Sequence, residues 1–210
     1  MSSSSSKQSG NADETSAAPH PPPPPPPNPA VTKASAPPPG PRPPIVAPTG
    51  PSGALMVQLL IYSGSPFKDH WAYWVSSRAC PNVGVVIHAV GDVRNGFQFE
   101  VKRSYDIEAT TTQPMKIIPL QWVDARHFDE ESMLNGGNRK IDNVPVGGFE
   151  VSAHKVKAPG KTLNSVNDGV SGKKITQRNC QTWIVESADQ LVKDGILHKE
   201  VAAYLHAIEQ

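Results

Sequence analysis

Three side chains in this sequence have the types and spacing for acyl chemistry: His70 in HWAYWV, His88 in VGVVIHAV and Cys180 in ITQRNCQTWIVESADQL. A thiol attacks as its thiolate, so it needs either a depressed pKa or a base beside it. Asn179 is a favourable helix cap, which puts Cys180 in the first turn of the helix. There the unpaired backbone N–H groups and the positive end of the helix dipole favour thiolate over thiol. His70 and His88 lie on consecutive stretches that read as strands, joined by the turn-rich SSRACPN. A hairpin centred on residue 79 sets the two imidazoles directly opposite each other on one sheet face, with Cβ atoms about 4.5–5.5 Å apart. The same register pairs Trp71 with Ile87 and Tyr73 with Val85 as an apolar layer on the other face. A slip of one residue would put the histidines on opposite faces.

Nucleophile, base and orienting group together make the logic of a cysteine hydrolase, with His70 or His88 taking the thiol proton and the other holding it in place. Amides at the start of the helix would meet the charge of a tetrahedral intermediate. The competing reading is a histidine packed in a strand and a cysteine serving as a small buried residue. In that case the same fold is a binding module without catalysis.

Positioning these residues requires strands first and helices after. ALMVQLLIYSG (54–64), HWAYWV (70–75), VGVVIHAV (83–90) and FQFEVKRSY (97–105) read as strands. KIIPLQWV (116–123) is a fifth, and its Pro119 marks it as an edge or a bulge. FDEESMLNGGNRK reads as a short helical turn or loop, GGFEVSAHKV (147–156) as a further strand or extended segment, and PGKTLNSVND (159–168) as a short helix. From Cys180 the apolar residues Trp183, Ile184, Ala188, Leu191 and Val192 recur at helical spacing, and Asp194-Gly195 ends the run. HKEVAAYLHAIE forms a last helix. The expected class is α+β, an antiparallel sheet packed against helices.

HWAYWV, then VVIHAV, then RNCQTW at a helix start resembles the lecithin–retinol acyltransferase-like family, permuted relatives of the papain-like NlpC hydrolases. That resemblance spans about residues 55–195 and implies a circularly permuted papain-like architecture. It implies His70 as catalytic base, His88 as supporting histidine and Cys180 as nucleophile. The substrate class it implies is an acyl, amide or peptide group transferred through a thioester, with no cofactor. The interval between the histidines is longer than is usual there. Gln181-Thr182-Trp183 stands where members commonly carry Glu-His-Phe, which keeps only the aromatic.

Composition bounds the rest. Residues 1–53 hold 17 of the 23 prolines, seven of them in a run from Pro21 to Pro27, and no aromatic residue. Such a segment buries too little apolar surface to offset its ordering entropy, so disorder with polyproline II character is expected. It serves as a spacer or as a ligand for a polyproline-binding protein. The remaining 157 residues, 54–210, hold all four tryptophans and suit one domain. A net charge of +1 with interspersed signs offers no electrostatic footprint for nucleic acid. No stretch has the length of a transmembrane anchor, and no apolar leader opens the chain, so a soluble cytoplasmic protein with two free thiols, Cys80 and Cys180, is expected. Gly160-Lys161-Thr162 resembles the end of a phosphate-binding loop, but Lys155 occupies the position where that loop needs a glycine. His127, His154, His198 and His206 are scattered and read as surface residues.

Overall fold

The structure, a computed structural model, describes residues 40–161 and 177–210. Among these residues six strands form one antiparallel sheet: β1 (Leu55–Tyr62), β2 (His70–Ser76), β3 (Val83–Asp92), β4 (Gly96–Asp106), β5 (Lys116–Val123) and β6 (Lys140–Asp142), in the order β5-β1-β2-β3-β4-β6. Among the described residues four α-helices accompany it: α1 (Glu130–Met133), α2 (Gly147–His154), α3 (Cys180–Lys193) and α4 (Lys199–Ile208). The α+β class and the antiparallel sheet are therefore as the sequence implies.

Alternation along the strands divides the sheet into two faces. Val57, Leu59 and Ile61 on β1, Trp71, Tyr73 and Val75 on β2, and Val85, Ile87 and Ala89 on β3 join Trp183, Ile184, Ala188 and Leu191 of α3 in the main core. Leu60, Ala72, Trp74 and Val86, from the intervening positions, cluster with Ile107 on the opposite face, where Tyr62 and Tyr105 pack against them. Because both faces are covered, β1 to β3 read as nearly continuous apolar runs. Two polar groups that enter the core are paired, Tyr73 Oη donating to the Ile184 carbonyl at 2.9 Å and Trp183 Nε1 to that of Val156 at 3.0 Å, whereas the buried Trp71 Nε1 has no partner among the described residues.

The hairpin of β2 and β3 is centred one residue later than expected. Tyr73 lies opposite Ile87 and Val75 opposite Val85, because the turn closes with the Val83 amide donating to the Cys80 carbonyl at 3.0 Å. The register thus differs by two residues, and an even shift preserves the face of every side chain. Pro119 sits at an edge strand, beside the register shift where Val57 opposes Gln121 and Gln58 opposes Pro119.

GGFEVSAHKV is not a strand. Gly147–His154 is helix, with Phe149 and Ala153 buried one turn apart. The deciding contact is ionic: Arg103 on β4, 2% exposed, reaches Glu150 at 3.0 and 3.1 Å, Asp142 at 3.0 Å, and the carbonyls of Met133 and Val144. A buried guanidinium with every arm satisfied anchors α2 in a way that periodicity over ten residues cannot reveal. Residues 162–168 of the expected short helix lie outside the described residues, while Pro159 accepts from the Phe97 amide at 2.7 Å. At the other end, Ala47 accepts from Trp122 Nε1 at 2.8 Å, and Gly50 lies so close to that indole that a Cβ there would come within 2.2 Å of it. The last part of the proline-rich segment is therefore laid against β5. Among the described residues no helix is long and apolar enough to cross a membrane.

Candidate functional site

His70 opens β2 and His88 sits on β3, both on the face carrying Ala72, Trp74 and Val86. With the register displaced by two they are diagonal neighbours, and the imidazoles still meet: His70 Nε2 lies 2.7 Å from His88 Nδ1, the rings edge-on with centroids 5.0 Å apart. Tyr62, directly opposite His70 on β1, covers the ring from the far side at 6.1 Å between centroids. Burial, followed by the neighbouring His88, lowers the pKa of His70 to about 3. His88, 3% exposed, is lowered too, again through burial. Both rings are therefore neutral at physiological pH.

A residue outside the expected set completes the row. Glu100 is paired with His88 across β3 and β4, and its Oε1 lies 3.1 Å from His88 Nε2. The hydrogen bond to His88 is the main cause holding its carboxyl below the ordinary range, and Lys102 stands 4.0 Å from the same oxygen. The sequence did carry a signal for it. Asp92 accepts from the amides of Arg94 and Asn95, and Gly96 adopts φ +91°, so the DVRNG turn fixes the strand pairing that sets Glu100 opposite His88.

Cys180 is brought to the same strand end. Asn179 caps α3 as expected, accepting from the amides of Gln181 and Thr182 at 2.8 and 3.2 Å, while Thr182 Oγ1 accepts from the Asn179 amide at 3.3 Å. The Sγ contacts the Asp69 carbonyl at 3.9 Å and takes a hydrogen bond from the Trp71 amide, so the sulfur lies against the backbone on both sides of His70. Among the described hydrogen bonds none joins Sγ to an imidazole. One expectation is corrected here. Burial pushes the thiol pKa up, outweighing the amides of Trp71, Gln181 and Cys180 that draw it down, so the helix start does not make a resting thiolate. The cap occupies the Gln181 and Thr182 amides.

Gln181, fully buried, donates to the Asp69 carbonyl at 2.8 Å and accepts from the Gln210 amide at 2.9 Å. Gln210 Oε1 accepts from the Asp69 amide at 2.9 Å. This side-chain lattice holds the loop before β2 against the start of α3, and only the position of Gln181 after the cysteine hinted at it. Cys80 is a free, exposed thiol in the β2–β3 turn, remote in the fold from both histidines.

An open antiparallel sheet with a capped thiol beside an imidazole pair defines the architecture. Residues 57–198 match the model of a family described as a family of unknown function (DUF6540), and the chain belongs to that family. No curated protein and no solved structure matches the chain.

Proposed function

We propose that the chain is a cysteine-dependent acyl hydrolase or acyltransferase, with Cys180 as nucleophile, His70 as base and His88 as the group that orients the base. One observation carries this reading: a helix start and two strands converge so that a sulfur sits on the backbone flanking His70, whose ring is hydrogen-bonded to His88 at 2.7 Å. The order of strand histidine, second strand histidine and thiol at a helix start also supports a permuted papain-like arrangement, which is part of the same proposal.

The resting pair is a neutral thiol and a neutral imidazole. As sulfur bonds to the acyl carbon, the Sγ proton passes to His70 Nδ1. The tetrahedral adduct collapses by breaking the bond to the leaving oxygen or nitrogen, which takes that proton from His70. Water, or an acceptor hydroxyl or amine, then attacks the thioester and gives its proton to His70. The proton returns to sulfur as the acyl–sulfur bond breaks. Oxyanion charge in both halves falls to the Cys180 amide.

A second reading, a binding module without catalysis, is favoured by the depth of the thiol, since Cys180 is 8% exposed. The two separate by intact-mass analysis after incubation with activated esters, thioesters, amides and peptides. Acyl transfer predicts an adduct on Cys180 and not Cys80, absent in Cys180→Ala and about 100-fold slower in His70→Asn. An adduct on Cys80 alone, or none with any acyl class, supports the module.

A further inference from the structure

We infer that Glu100 is a positioning residue: as the acceptor at the outer end of the row Glu100–His88–His70, it fixes one tautomer in both imidazoles and leaves Nδ1 of His70 as the bare, proton-accepting nitrogen. The argument is one of donors and acceptors. An ionised carboxylate accepts and cannot donate. Its Oε1 lies 3.1 Å from His88 Nε2, so that nitrogen carries the hydrogen. A neutral imidazole has one N–H, and His88 is buried neutral, so its Nδ1 is a bare acceptor. The 2.7 Å contact to that nitrogen then requires His70 Nε2 to donate. His70, neutral as well, has its lone pair on Nδ1, the ring nitrogen nearer its own backbone. The Cys180 sulfur rests on that backbone, between the Asp69 carbonyl and the Trp71 amide.

A donor in place of Glu100 would reverse both hydrogen bonds and put a proton on the nitrogen that must receive one. The side chain of Glu100 is 16% exposed, and solvent cannot take its place without offering donors as well as acceptors. The tautomer order stands on the row itself. Its value for catalysis rests on the thiol chemistry proposed above, and the two are separable by experiment.

The test is nitrogen-15 NMR of the full chain with labelled histidine at neutral pH, with His70 and His88 assigned from single asparagine variants. Wild type should show both rings protonated at Nε2 and bare at Nδ1. Glu100→Ala should lose that uniformity, with His88 distributed over both tautomers, whereas Glu100→Gln retains it in part because its amide oxygen still accepts. Acylation of Cys180 should fall about 100-fold in Glu100→Ala and less in Glu100→Gln. A proton on His70 Nδ1 in wild type, or an unchanged pattern in Glu100→Ala, overturns the inference. The predicted tautomers together with no Cys180 adduct in wild type refute the thiol chemistry and uphold the order imposed by Glu100. Adduct formation equally fast in wild type and Glu100→Ala removes the positioning role.

Discussion

The half-buried His70 ring is held neutral by its surroundings, and this has a thermodynamic consequence. Its folded pKa of about 3 lies below the ordinary 6.5, so between those values the unfolded chain binds more protons than the native one. Stability therefore rises with pH across that window, is complete above 6.5, and is lost on acidification. His88 acts in the same direction. Each such histidine contributes a slope of at most about 1.4 kcal/mol per pH unit within its window. Urea unfolding at pH 7.5 and pH 5 should show wild type losing stability and His70→Asn losing less. An equal loss in both proteins would mean that the ring is not held neutral by the fold.

At the scale of elements, the site depends on how α3 begins. The Asn179 side chain binds two amides, and Asn179→Ala should cost about 1 kcal/mol, read by urea denaturation. No measurable cost would mean that the cap is replaced by water. This cap was legible in the sequence, since an asparagine ahead of an amphipathic run is a local signal. So was the shared face of His70 and His88, since parity along a strand survives an even shift in register. The register itself was not legible, because it depends on where the Cys80 turn closes. Glu100 was overlooked although the DVRNG turn fixes its pairing, since a glutamate in an alternating strand looks like any solvated residue. The helix Gly147–His154 was misread for a different reason. Its decisive partner, Arg103, lies on β4 and is distant in sequence.

For the molecule as a whole, the Arg103 cluster ties β4, the end of α1, β6, the loop after β6 and α2 into one body. Glu150 and Asp142 raise the Arg103 pKa against the opposing pull of burial, and the guanidinium holds Asp142 below the usual carboxylate range. Removing one partner of a buried ionic cluster leaves uncompensated charge, so Arg103→Ala should cost about 3–5 kcal/mol in urea unfolding. A loss within the range of surface substitutions, about 0.5 kcal/mol, would contradict the description of this cluster as a structural anchor. The cluster serves the sheet without touching the thiol or the imidazoles. Stability at the Arg103 cluster and the chemistry proposed for His70 and Cys180 can therefore be perturbed separately.

The central claim is that a neutral imidazole takes the proton of a neutral thiol, and its most direct measurement is the rate of Cys180 acylation by an activated ester against pH. With His70 as base, the rate should be nearly flat from pH 5 to pH 8, because the ring titrates near pH 3 and the thiol above its ordinary range. In His70→Asn the rate should rise about tenfold per pH unit, following the small thiolate fraction. Parallel profiles in the two proteins, each climbing with pH, would contradict the claim.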